Sequence, residues 1–147
     1  MSINVTAPSF HDAIEYFYDK PWSDGMPVIP PTDEKVAAML KGTRHDVSEV
    51  IGLVPPNFEQ LTVRRIAEHA VMAGAKPEYM PVIVGAMRAV LEEKLNMHGV
   101  QTTIHGAAPL LIVNGPYAKK IGINGGRGCF GPGFRANTSI EIGRAHV

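Results

Sequence analysis

The chain has 147 residues, enough for one domain and too few for two. Hydrophobic residues make up 45 % and charged residues 19 %, and 14 Lys and Arg balance 14 Asp and Glu. That is a globular composition, without the basic excess expected of a general nucleic-acid binder. The longest apolar runs, Met80–Met87 and Ala107–Val113, fall far short of the roughly 20 residues a spanning helix needs. Met1–Val5 has neither the basic nor the apolar region of a secretory signal. One cysteine, Cys129, excludes an internal disulfide and a cysteine-based zinc site. The expectation is a cytoplasmic protein with no membrane and no nucleic-acid partner.

In chain order, Ser9 caps a first helix with Asp12 three residues on. Phe10, Ala13, Ile14 and Phe17 give it one apolar face, and Pro21 ends it. Residues 22–31 hold three prolines, just after Pro21, and read as extended chain. Thr32 caps a short helix with Val36, Met39 and Leu40 inward, closed by Gly42. A strand is expected within Val47–Val54, ahead of Pro55-Pro56. The strongest helix signals follow. Val63, Ile66, Ala67, Ala70 and Val71 recur at helical spacing until Lys76-Pro77, and Met80, Ile83, Val84, Met87, Val90 and Leu91 form a second run opening near Pro81. Val100–Ile104 and Leu110–Val113 read as strands because they are rich in β-branched and aliphatic residues. A short helix around Tyr117–Ile121 leads into Gly122–Gly133, where six of twelve residues are glycine.

That glycine segment carries the chemistry. Gly126, Gly128 and Gly131 formally satisfy the G-x-G-x-x-G pattern of dinucleotide sites, but no strand runs directly into it and Pro132 interrupts the helix start. The looser reading is an anion or carboxylate cradle. Gly126, Gly128 and Gly131 would supply N–H groups, Arg127 and Arg135 charge, and Asn137 the start of a helix. A tight structural turn with two solvated arginines is the competing view. Cys129 lies inside the loop, where N–H groups and arginines would favour a thiolate, with His105 at a strand exit as its proton partner. His98 and His69 are the other histidines considered as a base, and no histidine spacing suits a metal. His45-Asp46 reads as a loop pair, and Trp22 with Asp24 as a turn rather than a pocket rim.

Three segments, W-S-D-G-M-P-V-I-P-P-T, V-M-A-G-A-K-P-E-Y-M-P-V-I-V and N-G-P…G-I-N-G-G-R-G-C-F-G-P-G-F-R-A-N, resemble an uncharacterised bacterial family of longer proteins. That family is associated with UGSC-type thiol or selenol proteins. The resemblance implies no established reaction. Its members often carry cysteine where this chain has Ala75, a departure that counts against a two-thiol mechanism. It also implies sequence beyond Asn137, of which this chain would be an N-terminal portion.

The tail points the same way. Residues 142–147, I-G-R-A-H-V, match one reading frame of a common sequencing adapter, so residues 141–147 read as a scar and residues 1–140 as a single domain. The expected fold is α/β: about five helices on a small mixed sheet of Val50–Val54, Val100–Ile104 and Leu110–Val113, incomplete at the C-terminus. Three functions stay open: an enzyme fragment using Cys129 and His105, a small-molecule or phosphate-binding module, and an inert portion of a larger protein. No cofactor is implied. A truncated core would also expose apolar surface and favour self-association.

Overall fold

The computed structural model describes residues 6–20, 25–104, 106 and 108–145, with side chains to Glu141. Helix α1 spans Phe10–Asp19; the Ser9 hydroxyl accepts from the Asp12 N–H at 3.2 Å and donates to the Asp12 carboxylate at 2.6 Å. It ends one residue before the residue that precedes Pro21, whose ring disfavours helical geometry there. Helix α2, Asp33–Leu40, is capped by Thr32 and buries Val36 and Met39. Gly42 follows because a side chain there would overlap the Pro77 carbonyl.

Strands β1, Val50–Val54, and β2, Glu59–Thr62, form an antiparallel hairpin. Two residues oppose one between Val50 and Gly52, a bulge that lets Gly52 approach Leu91. Thr62 then caps helix α3, Val63–Met72, by accepting from the Arg65 N–H at 3.2 Å. The expected apolar face is the centre of the molecule: Val63, Ile66, Ala67 and Ala70 are inaccessible to solvent. Helix α3 packs against α2, β2, α4 (Met80–Val90) and α7 (Arg135–Ala145). A 3₁₀ turn at Pro77–Tyr79 precedes α4, and Pro81 falls in its first turn, where the missing N–H has no helical partner to lose. Met80, Ile83, Val84 and Met87 complete the core with Ala136 and Ile140 of α7.

The fold is α/β, as expected, but the sheet is a two-stranded antiparallel hairpin rather than a mixed one. Val100–Ile104 is not a strand. Helix α5, Met97–Thr102, begins at Asn96, whose side chain accepts from the Gly99 N–H at 3.3 Å, and the Thr102 hydroxyl bonds back to the His98 carbonyl at 3.0 Å. Local capping outweighs β propensity there. Leu110–Val113 takes no regular secondary structure and has no ladder partner among the described residues. Its burial still alternates, with Leu111 and Val113 half-buried and Leu110 and Ile112 exposed. Helix α6, Pro116–Lys120, and α7 follow; α7 opens at Arg135, slightly before Asn137, and runs through residues 141–145.

Candidate functional site

The glycine segment hangs between α6 and α7 and is closed mainly by two asparagines. Asn137, on the first turn of α7, accepts from the Asn124 N–H at 2.8 Å and donates to the Asn124 carbonyl at 2.9 Å. Its second amide hydrogen goes to the Cys129 carbonyl at 3.2 Å. Asn124 in turn folds the next residues, accepting from the Gly126 N–H at 3.0 Å and donating to the Arg127 carbonyl at 3.1 Å. Within the loop the Cys129 N–H donates to the Gly126 carbonyl and the Gly131 N–H to the Gly128 carbonyl. Gly122, Gly128 and Gly133 take positive φ, which a side chain would resist.

These bonds redirect the groups read as an anion cradle. The N–H groups of Gly126 and Gly131 are spent inside the loop, and both donors of Asn137 serve backbone carbonyls. Arg135 turns away: its Nε donates to the Gly74 carbonyl, 2.9 Å distant, where α3 has just ended. That bond satisfies a carbonyl beyond the helix C-terminus, where a cation is favoured. Arg127 is exposed, and with Gly128 it is what remains of the cradle. The loop is built as a self-supporting turn.

Beside it lies a groove of about 670 Å³. One wall is the irregular segment 108–113; the second is the loop at Ile123–Gly125 and Cys129–Pro132; the floor is the α7 face of Ala136, Asn137, Ile140 and Glu141. Cys129 is half-buried in the second wall. Polar groups are few. Thr138 and Glu141 project from α7, and Glu141 is the sole charged lining residue among those described. Neither Arg127 nor Arg135 lines the groove. His105, the expected proton partner of Cys129, lies outside the described residues. Thr138, Glu141 and the role of Asn124 escaped sequence reading; only the Asn-Gly spacing at 124–126 hinted at the last.

The remaining histidines serve elsewhere. His45 Nδ1 is 2.9 Å from Glu49 Oε2, and Arg88 of α4 reaches the other oxygen of the same carboxylate. These partners hold the Glu49 carboxyl below its ordinary range, the His45 hydrogen bond contributing most. His69 Nδ1 donates to the Arg65 carbonyl at 2.8 Å beside a cleft of about 250 Å³ under the hairpin turn. His98 stacks on Phe58 at the surface, with ring centroids 5.9 Å apart. Among the described residues no group of three His, Cys, Asp or Glu side chains is placed to hold a metal ion. No helix among those residues is long and apolar enough to cross a membrane. No protein family matches the chain, and neither a curated protein nor a solved structure is detectably similar to it.

Proposed function

We propose that the groove between segment 108–113, the glycine loop and α7 binds a small molecule with an apolar body and one polar or cationic group. The observation that carries this reading is its volume of about 670 Å³ with an aliphatic lining and few polar groups. Ligand pockets of roughly 300–1,000 Å³ share that design, whereas the 250 Å³ cleft under the hairpin falls below it. Glu141 in the lining favours a cation or a hydrogen-bond donor over the phosphate or carboxylate that the arginines suggested. Binding is favoured over catalysis by Cys129. A nucleophilic thiol needs a base within about 3 Å, and Glu141 is the only other titratable lining group among the described residues.

The test is the rate at which iodoacetamide alkylates Cys129 in the full chain. Dodecylamine, an apolar chain with a cationic head, is expected to slow the reaction, and inorganic phosphate to leave it unchanged. Protection by phosphate alone would return the site to the anion reading. Protection by neither would remove the groove as a binding site.

A further inference from the structure

Strand β2 runs straight into α3, so the hairpin turn and the start of α3 enclose the smaller cleft of about 250 Å³. Thr62 begins the helix by accepting from the Arg65 N–H, and Arg65 and His69, one turn apart, line the cleft together. The His69 ring is fixed there by its bond to the Arg65 carbonyl. From the hairpin come Asn57, Glu59 and Gln60, and the buried side chains of Pro55 and Leu61 add apolar wall. Phe58, between Asn57 and Glu59, holds φ at 54°, a conformation that a bulky side chain resists, and its ring stacks on His98. Backbone of this kind collects at binding sites.

The charges in the cleft are incompletely used. Arg65 Nη1 donates to Glu59 Oε2 at 2.8 Å, and that is the single contact between the two groups. Among the described residues neither the rest of the guanidinium nor Glu59 Oε1 has another partner. Arginine and carboxylate commonly meet through two parallel bonds; this pair leaves N–H groups on one side and an oxygen on the other. A lone anion brought here gains Arg65 but meets Glu59, and a lone cation meets the reverse. A molecule that carries both charges on adjacent atoms completes both groups at once.

We infer that this cleft binds a free α-amino acid with an aliphatic side chain. Its carboxylate accepts from the open guanidinium N–H groups of Arg65, its ammonium donates to Glu59 Oε1, and its side chain lies against Pro55 and Leu61. The cleft is too small for a drug-sized ligand, and its volume suits a metabolite of this size. Arg65 and Glu59 keep side-chain exposures of 37 % and 60 %, so the affinity is modest, with a dissociation constant on the order of 1 mM. The site is separate from the groove beside Cys129 and stands or falls without it.

Titration of the full chain with L-leucine, followed by two-dimensional amide NMR at pH 7 and fixed ionic strength, tests the inference. The expected result is saturable shifts confined to the cleft-lining residues between Val54 and His69. Isocaproate, which is leucine without its ammonium, and isoamylamine, which is leucine without its carboxylate, should each bind there about tenfold more weakly or worse. Glu59→Gln and Arg65→Gln should each weaken leucine binding by a similar factor. Glu59 is exposed, so unchanged melting of Glu59→Gln shows that the fold is kept; if Arg65→Gln melts lower, the two leucine analogues still decide on the wild type. Isocaproate binding as well as leucine would make the cleft a plain anion site, and isoamylamine doing so a plain cation site; either result overturns the inference. So does the absence of saturable shifts, or leucine shifts confined to segment 108–113 and Cys129. Isoamylamine shifts at the groove alone support the groove reading and leave leucine binding at the cleft to be judged by its own resonances.

Discussion

The side-chain amide of Asn137 pairs with the backbone of Asn124 as a neighbouring strand would, accepting at 2.8 Å and donating at 2.9 Å. With the bond to the Cys129 carbonyl, one side chain thereby holds both limbs of the glycine loop against α7. Asn137→Ala should destabilise the chain by about 1–3 kcal/mol, since three half-buried backbone groups lose their partner. Asn137→Asp should cost at least as much: it keeps the acceptor but turns a carboxylate toward two carbonyl oxygens. Urea unfolding measures both, and a change below about 0.5 kcal/mol would mean that the loop holds without the staple.

Arg135 separates the structural from the anion-binding view of the same loop. Its bond to the Gly74 carbonyl predicts that Arg135→Ala lowers stability by at most about 1 kcal/mol and leaves Cys129 alkylation unchanged with or without phosphate. A phosphate effect on alkylation present in the wild type and absent in the variant would show that the guanidinium serves the loop instead.

Gly42 tests the close approach of α2 to the turn before α4. A Cβ at this position overlaps the Pro77 carbonyl, a backbone group that cannot swing aside. Gly42→Ala should therefore cost about 2 kcal/mol or more, whereas Gly85→Ala, with open space around the site, should be neutral or stabilising. Paired thermal melts of the two variants give the comparison.

In the core, Met80 and Ile83 are inaccessible to solvent and pack within the cluster centred on α3. Met80→Ala and Ile83→Ala should each lose about 2–5 kcal/mol, with the m-value unchanged if unfolding stays two-state.

The Glu49 carboxyl sets an acid limit. Its folded value is depressed, first by the His45 hydrogen bond and further by Arg88, so the stabilisation it contributes is complete above the ordinary glutamate value of 4.5. It is lost as pH falls through the lower folded value. Melting temperatures of the wild type should drop more steeply below pH 4.5 than those of Glu49→Gln, which has no proton to take up there. Parallel curves would show that the carboxyl gains nothing from its partners.

Local rules made α3 and α4 legible in the sequence. The apolar spacing from Val63 to Val71 and from Met80 to Val90, the Thr32 and Ser9 caps, and the Pro77 stop each depend on residues within one or two helical turns. The Val50–Val54 strand was legible for the same reason; its partner Glu59–Thr62 was not, because E-Q-L-T has one strongly apolar residue and pairs only by virtue of the hairpin. Sequence also marked the glycine loop as irregular and Cys129 as part of it. Tertiary structure decided what could not be local. Val100 and its neighbours have β propensity but no strand to pair with, so the Asn96 cap wins and they coil. Leu110–Val113 keeps strand-like alternation without a ladder and becomes a groove wall. Arginine side chains are long enough to choose partners far along the chain. Arg135 finds Gly74, 61 residues away, and the charge that composition placed in the loop points out of the groove.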